Sequence, residues 1–139
     1  MELRPYAAAD EAAVVDLWRR CELTRPWNDP HKDIRRKLTT QPELFLVGTL
    51  EGGIVATVMA GYDGHRGWVN YLAVAPEHRS RGYGRELMRH VEERLTARGC
   101  PKLNIQVRTT NKAVLEFYRK IGYTIDEAVS LGKRLIPDE

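Results

Sequence analysis

The amino-acid sequence predicts a single α/β (α+β) domain over residues 1–139, with a mixed, mostly antiparallel seven-stranded sheet and about four helices on its faces. A length of 139 residues suits one domain with its own core. Short apolar strand patterns separated by turns fill the middle of the chain. Beyond them, a strand–helix–strand order implies a crossover to a parallel neighbour, so the sheet is expected to be mixed.

The N-terminal part predicts a short strand at residues 1–6 and a helix that Asp10 could cap. The apolar face of this helix has the spacing i, i+3, i+4, i+7 and consists of Val14, Leu17, Trp18 and Cys21. The prolines of RPWNDP (25–30) forbid a continuous helix. A second helix is therefore expected only from Pro30 to Leu38.

The middle of the chain predicts three consecutive antiparallel strands, at residues 44–50, 54–62 and 68–74. Glu51-Gly52-Gly53 is a hairpin signal between the first two strands, and DGHRG (63–67) is a tight turn before the third. We expect these strands to form a meander.

The C-terminal part predicts a helix over 82–98, because apolar residues recur there at helical spacing and Gly99 and Pro101 follow. LNIQV (103–107) predicts a strand. Asn111 is expected to cap a fourth helix. The last two strands are predicted at residues 123–125 and 131–135.

Composition and charge narrow the classes of partner. The net charge of +3 is modest for a nucleic-acid-binding protein, and no basic block is interleaved with aromatic residues. No apolar run reaches membrane-spanning length, and the N-terminus has no apolar signal core. None of the four histidines has a metal-ligand partner at helical spacing. We therefore expect a cytoplasmic protein with no metal, no membrane and no nucleic-acid partner.

The segment RSRGYGR (79–85) lies between a predicted strand and a predicted helix. A helix N-terminus has four amides without intrahelical partners and a partial positive charge, so it is suited to bind an anion. Gly82 and Gly84 let an anion approach the backbone, and Arg79, Arg81 and Arg85 supply donors that match phosphate oxygens. A third glycine at position 87 and a Gly-Lys-Ser/Thr motif are both missing, which excludes the two common nucleotide-binding loops.

Arg79-x-x-Gly82-x-Gly84, placed after Leu72-Ala73-Val74-Ala75-Pro76, resembles the acyl-CoA signature of the GNAT N-acetyltransferase superfamily. Asn111, Phe117-Tyr118 and Gly122-Tyr123 are similar to a second element of that family, about thirty residues further on. The resemblance covers the whole chain and is strongest from residue 68 to residue 123.

The resemblance implies acetyl-CoA as cosubstrate and assigns roles to several positions. The backbone groups of Leu72, Ala73 and Val74 would contact the pantetheine arm, and the Val74 amide would donate to the developing oxyanion. Asn111 would also contact this arm. The pyrophosphate would be held by residues of one loop: Arg79, Ser80, Arg81, Gly82, Tyr83, Gly84 and Arg85.

Tyr118 would protonate the departing thiolate, if the resemblance holds at that position. Helical spacing alone favours another interpretation, because Tyr118 lies close to Val114 and Ile121 and could be a packed core tyrosine. Both interpretations stay open at the level of the sequence.

Family members that acetylate protein N-termini carry Glu where this sequence has Gln106, which cannot accept a proton. At pH 7.5 a lysine amine takes about 4 kcal/mol to deprotonate, against under about 0.5 kcal/mol for an α-amine. This favours a low-pKa or small-molecule amine as acceptor. Other candidates for the base are residues that are also ordinary in turns and on surfaces: Asp63, His65, Glu77 and His78.

The acceptor pocket is predicted to include Trp27, Asn28, Tyr71 and Gln106. For Asn28 and Asp29 the alternative role is to cap the following helix.

The sequence therefore predicts an acetyl-CoA-dependent N-acetyltransferase. Its acceptor would be a primary amine, on a small molecule or a peptide N-terminus, that attacks directly in a ternary complex. One alternative is an acyl-CoA-binding sensor domain with weak or no turnover, and another is a nucleic-acid-binding module that uses the basic helix. The resemblance also allows a homodimer.

Overall fold

A computed structural model describes residues 1–138 and has one five-stranded sheet flanked by four helices. The strands are β1 (Glu2–Pro5), β2 (Phe45–Leu50), β3 (Gly53–Tyr62), β4 (Gly67–Val74) and β5 (Leu103–Ile105). The helices are α1 (Glu11–Arg20), α2 (Pro30–Leu38), α3 (Tyr83–Ala97) and α4 (Lys112–Lys120). The predicted single-domain α/β class is confirmed, but the predicted seven strands are wrong, since the described residues form five.

The sheet has the order β1-β2-β3-β4-β5. The first four strands are antiparallel neighbours, whereas β5 pairs with β4 in parallel after the crossover through α3. The mixed, mostly antiparallel sheet and its meander are thus as predicted.

Helices α1 and α3 cover opposite faces of the sheet. Trp18 of α1 donates to Thr57 of β3, whereas Leu95 of α3 lies against Gly67, which pairs with Tyr62 of β3. Positions 57 and 62 point to opposite faces, because side chains alternate along a strand. The sheet is therefore buried between two layers, and none of the helices within residues 1–138 is both long and apolar enough to span a membrane.

Helix caps are confirmed at two of the three predicted positions. The Asp29 carboxylate accepts from the His31 amide at the start of α2, and Asn111 accepts from an amide of the first turn of α4. Asp10 precedes α1 without capping it. Its carboxylate instead accepts from the Arg4 guanidinium at 2.7 Å and from the Ala7 amide at 2.8 Å.

The predicted strands at 123–125 and 131–135 are absent, and the predicted strand 103–107 ends at Ile105. Residues 124–138 make no backbone–backbone hydrogen bond with any other residue of the described chain. A strand requires such a ladder, so the alternating sequence of this C-terminal segment is not sufficient to make one.

Candidate active site

The central feature of the site is a bulge in β4 that separates its end from β5. Thr57 pairs with Ala73 and Met59 with Asn70, so β4 carries one residue more than β3 between these two pairs. Within the bulge, Tyr71 has a φ of 52°. A bulge bends the strand that carries it. Accordingly, β4 pairs with β5 only from Gly67 to Val69. Beyond Val69 this edge of β4 has no paired strand, and we call the unpaired edge the gap.

Contacts from α1, α2 and β3 hold this bulge. The Thr57 hydroxyl accepts from the Trp18 indole at 2.9 Å and donates to the Tyr71 carbonyl at 2.9 Å. The Tyr71 ring stacks on Trp18 with 3.8 Å between centroids, and its hydroxyl donates to the Asp33 carboxylate at 2.6 Å. Burial, followed by this bond to Asp33, raises the pKa of the Tyr71 hydroxyl. Tyr71 thus holds the bend of β4 in place.

The backbone beyond the bulge alternates between β3 and the gap. The Ala75 amide donates to the Val55 carbonyl at 2.8 Å, so Ala73, two residues earlier, also directs its backbone groups to β3. Val74 directs its amide and carbonyl to the opposite edge. Its carbonyl accepts from Arg79 Nε at 3.2 Å and from Cys21 Sγ at 3.3 Å. Of the three predicted pantetheine contacts, Val74 faces the gap, Ala73 does not, and Leu72 lies within the bulge beside Tyr71.

The loop before α3 is curled by two residues with positive φ, Ser80 at 65° and Gly82 at 82°. Gly82 is the N-cap of α3, and no side chain caps the helix there. Curled loops and uncapped helix starts both direct amides outward. The exposed cations Arg79, Arg81 and Arg85 surround this loop. The loop therefore combines outward amides with nearby cations, which is what a phosphate group would need.

A cavity of about 420 Å³ opens beside this loop, along α3. Its lining consists of Gly82, Arg85, Glu86, Met88, Arg89, Glu92 and Ile121. The cavity extends from the cationic loop toward the end of α4. The periodicity of the sequence gave no indication of it.

Gly84 is needed for packing. A Cβ at this position would lie 3.1 Å from Phe117 Cζ, so the absence of a side chain lets the Phe117 ring rest on the first turn of α3. The same Cβ would lie 3.9 Å from Val74 Cγ2, which places this contact at the end of β4. The sequence interpretation, in which Gly84 only makes room for an anion, missed the aromatic ring.

Tyr118 is a packed residue of α4 with an unpaired hydroxyl. Its side chain is almost fully buried, and its ring meets those of Phe117 and Tyr123 edge-on at 5.0 and 5.6 Å between centroids. Burial raises the pKa of its hydroxyl. This hydroxyl has no hydrogen-bond partner in the part of the chain that the structure describes, whereas Tyr123 donates to Glu92. Tyr118 therefore has a tightly packed ring and a hydroxyl that is free to donate a hydrogen bond.

Two of the four predicted acceptor residues line one cavity of about 680 Å³. Trp27 and Gln106 line it together with Arg36 and residues 132–136 of the C-terminal segment. Asn28 accepts from Arg134 of that segment. Tyr71 does not line it. Sequence reasoning missed the contribution of the C-terminal segment, because it was expected to form a strand.

Three of the residues that line this cavity, Trp27, Gln106 and Arg36, make further contacts. The Arg108 guanidinium stands 5.7 Å from the centre of the Trp27 ring. The Gln106 amide donates to the Ser130 hydroxyl. Asp138 has a side chain that is only 1% exposed and accepts from Arg36 at 2.6 Å and from the Asp29 amide at 2.8 Å. These bonds lower the pKa of the Asp138 carboxyl to about 2.

The candidate bases occupy two other places. Asp63 accepts from the His65 and Arg66 amides at 2.7 Å, so it stabilises the β3–β4 turn, about 23 Å along β4 from Val74. These bonds lower the pKa of the Asp63 carboxyl.

At the other end of β4, Glu77 pairs with Arg20 at 3.1 Å, and His78 Nδ1 contacts Arg81. Glu77 and His78 thus each have a structural partner.

No group of three potential metal ligands occurs among residues 1–138.

Comparison with known proteins gives a consistent result. The family model described as "Acetyltransferase (GNAT) family" matches residues 12–123. An acetyltransferase of Yersinia enterocolitica is 52% identical over 139 residues, which cover 100% of this chain and 99% of that protein. An acetyltransferase of Pectobacterium atrosepticum is 51% identical over 138 residues, or 99% of this chain and 98% of that protein.

Solved structures share the fold at low sequence identity. An aminoglycoside 6'-N-acetyltransferase from Acinetobacter haemolyticus has a TM-score of 0.76 at 17% identity, over 98% of this chain and 99% of that chain. The ribosomal-protein-S18-alanine N-acetyltransferase from Escherichia coli has a TM-score of 0.71 at 22% identity, over 87% of this chain and 76% of that chain. At such identities the likeness concerns the fold alone.

Proposed function

Because the chain belongs to the acetyltransferase (GNAT) family, whose members use acetyl-CoA as cosubstrate, we propose that it transfers an acetyl group from acetyl-CoA to a primary amine. The amine attacks directly in a ternary complex. The proposal rests above all on the gap beside β4, where the Val74 amide is directed toward the opening, next to the uncapped start of α3. A thioester arm and a pyrophosphate need these two features side by side.

The residues around α3 suit the phosphate groups of the cosubstrate. The outward amides of the curled loop can donate to phosphate oxygens, and the helix start adds a partial positive charge. Arg79, Arg81 and Arg85 supply charge-assisted donors from exposed positions that can adapt to the ligand. The 420 Å³ cavity with Arg85 and Arg89 offers room for the nucleotide end.

When bound, acetyl-CoA supplies the activated acyl group as a thioester. The Val74 amide is the donor in this chain that can orient and polarise the thioester carbonyl, since the edge of β4 fixes its direction before the ligand arrives. Such an amide can contribute several kcal/mol to lowering the barrier.

Tyr118 is the proposed donor to the leaving sulfur. Its hydroxyl holds its proton throughout the neutral pH range, because burial raises its pKa. Since it has no partner among residues 1–138, it is available to a ligand. Support by hydrogen bonding and late proton transfer is sufficient, as a thiolate is only a moderately basic leaving group, with a thiol pKa of about 8.5.

The 680 Å³ cavity is the proposed acceptor site. Trp27 gives it a flat apolar wall, and Gln106 gives it an amide where a basic carboxylate would otherwise assist deprotonation. An acceptor that is already partly neutral at pH 7.5, such as an α-amine, suits this site better than a lysine side chain. The amine-directed names of the structural neighbours from Acinetobacter haemolyticus and Escherichia coli support an amine acceptor in general terms.

A second candidate function is an acyl-CoA sensor without turnover. One observation favours it: Gln106 cannot act as a base, and the carboxylates of Asp63, Glu77 and Asp138 are held by other partners. Enzyme and sensor differ in one measurable respect, the release of free thiol when acetyl-CoA and an amine are both present.

The test combines calorimetric titration of acetyl-CoA with a thiol-release screen of small amines and peptide N-termini. Arg81→Glu should weaken acetyl-CoA binding about tenfold or more, because it reverses a charge at the phosphate loop. Arg19→Glu makes the same change on an exposed position of α1 and should leave the affinity within about twofold. Equal effects of the two variants, or no binding by the wild type, would sink the proposal. Binding without thiol release from any amine favours the sensor.

A further inference from the structure

The proposed acceptor cavity is surrounded by cationic side chains. Arg36, Lys133 and Arg134 line it, and no carboxylate of residues 1–138 belongs to its lining. Arg108 stands beside it, with its guanidinium 5.7 Å from the centre of the Trp27 ring, which also lines the cavity. Arginine and lysine side chains carry their charge at neutral pH. An acceptor bound here therefore meets positive charge on several sides.

Ion pairs within the protein compensate only part of this charge. The Arg36 guanidinium lies 3.1 Å from the Asp33 carboxylate and 2.6 Å from the Asp138 carboxylate. The exposed side chains of Lys133 and Arg108, in contrast, form neither an ion pair nor a hydrogen bond with any residue from 1 to 138. Single exposed cations are ordinary on a protein surface, but these two stand at one cavity and remain available to a ligand.

The excess positive charge also bears on the amine itself. Like charges disfavour the ammonium form of a bound amine, so the cavity shifts the amine toward its neutral, nucleophilic form without a base. Gln106 cannot take a proton, but its amide donates to Ser130 and leaves the amide oxygen to accept from an amine N–H. Amines that carry several positive charges are repelled for the same reason.

The cavity adjoins the bulge of β4 through one carboxylate. Asp33 accepts from the Tyr71 hydroxyl at 2.6 Å and pairs with Arg36, which lines the cavity, at 3.1 Å. Gln106 directly follows the end of β5 at Ile105, where the pairing with β4 has stopped. An acceptor in the cavity can thus direct its amine to the end of β4 and another group to the cations.

We propose that the acceptor is an α-amine with a carboxylate a few bonds away, which is the chemistry of an amino acid and of a peptide with an acidic residue beside its N-terminus. The carboxylate lies against Lys133 and Arg108, and Trp27 packs against the chain that joins the two groups. This inference rests on the proposed function, because it names the acceptor class of the same site. As the C–N bond forms, the thioester C–S bond breaks, and the proton that the amine loses balances the one that the departing thiolate gains.

The first test compares matched acceptors in the thiol-release assay with acetyl-CoA and the full chain. Three tripeptide amides, Ala-Asp-Ala, Ala-Asn-Ala and Ala-Lys-Ala, differ only in the charge of the second side chain, and alanine with alaninamide forms the matching small-molecule pair. The acidic member of at least one series should have a kcat/KM about tenfold or more above its neutral partner, mainly through KM, and Ala-Lys-Ala should be the poorest tripeptide.

The series in which the preference appears identifies the source of the carboxylate. The preference should shrink in about 0.5 M salt, because the cations are exposed and their charge is screened. Equal kcat/KM values within both series would overturn the inference and leave acetyl transfer itself standing.

The second test reverses the two available cations. Lys133→Glu and Arg108→Glu should each lower the ratio of kcat/KM for the acidic and the neutral acceptor about tenfold or more, with an unchanged circular dichroism spectrum, since both side chains are exposed. Lys133→Arg keeps the charge and should keep the preference. Arg19→Glu, the same reversal on an exposed position of α1, is the control and should leave the ratio within about twofold. Reversals that slow all acceptors equally would contradict the assigned role.

A binding measurement separates this inference from the proposed function. Calorimetric titration of the tripeptides and of the alanine pair onto the chain saturated with CoA requires no turnover. The acidic member of the preferred series should bind about tenfold or more tightly than its neutral partner. Selective binding without thiol release from any acceptor would overturn acetyl transfer and uphold the preference of the cavity. Equal binding within both series, or no binding of any of these acceptors up to about 10 mM, would overturn the preference itself.

Discussion

Replacing Thr57 by Val should destabilise the protein and loosen the bend of β4, although the two side chains have nearly the same shape. Thr57 is completely buried and its hydroxyl is bonded on two sides, accepting from Trp18 Nε1 and donating to the Tyr71 carbonyl. A valine methyl can do neither. The indole N–H and the carbonyl would then be left without these bonds at the bulge.

The magnitude follows from the two unpaired groups. A buried donor without a partner costs about 1–3 kcal/mol, and the carbonyl adds about 1 kcal/mol, so the free energy of unfolding should fall by about 2–4 kcal/mol. For a chain of this length this corresponds to a decrease in Tm of about 6–12 °C. The affinity for acetyl-CoA should fall too, because Tyr71 sets the position of the following residues of β4.

Thr57→Ser is the matched control, since it keeps the hydroxyl and loses only a buried methyl group, at about 1 kcal/mol. Thermal denaturation, urea denaturation and calorimetric acetyl-CoA titration of both variants provide the assay. The hydroxyl account predicts that Ser is tolerated better than Val, whereas a purely apolar core predicts the opposite order. A Val variant with a Tm within about 2 °C of the wild type would refute the reasoning.

Three further predictions concern α3, the C-terminal segment and α4. Gly84→Ala should not raise the free energy of unfolding in the wild type, although Ala has the better helix propensity, because its Cβ meets Phe117. In a Phe117→Leu background the same change should raise the free energy of unfolding by about 0.5–1 kcal/mol, as measured by urea denaturation. Asp138→Asn should lower Tm above pH 4. The difference in Tm from the wild type should shrink as the pH falls from about 4 toward 2, because a carboxyl with a lowered pKa stabilises the fold only while it is ionised. Tyr118→Phe should reduce kcat about 100-fold and leave the acetyl-CoA affinity unchanged. Because burial raises the pKa of Tyr118, the wild-type rate should not fall through ionisation of this hydroxyl below about pH 10.

Local signals in the sequence were sufficient to predict the four helices and the three central strands. The helices carry apolar residues at helical spacing, and the β2–β3 turn carries adjacent glycines. The predicted ends of α3 lie one residue from the observed ones, at Tyr83 and Ala97. The loop proposed to hold phosphate could be singled out for the same reason, since its glycines and arginines are close together in the chain.

The last two strands could not be predicted correctly from local pattern, because a strand also needs a partner. The predicted strand 131–135 carries Leu131, Lys133 and Leu135 at alternate positions, as a strand does. Before it, Asp126 bonds to Asn104 of the body, and the backbone of residues 124–138 forms no ladder. The alternation was therefore not sufficient to predict a strand.

The bulge that opens the gap had no signal in the sequence. Tyr71 is an aromatic residue with positive φ, where glycine or asparagine would be expected. The bonds that hold it join residues 39 and 14 positions apart. Likewise, Gly84 was recognised as part of a motif, but its contact with Phe117 depends on how α4 packs against α3.

The most direct test of the central claim is a titration of ¹⁵N-labelled protein with acetyl-CoA, followed through the backbone amide signals. The account predicts saturable changes with one ligand per chain, largest at Val74 and at residues 79–84, with the turn at Asp63–Arg66 unaffected. Absence of saturable change, or changes confined to positions away from the end of β4 and the start of α3, would contradict it.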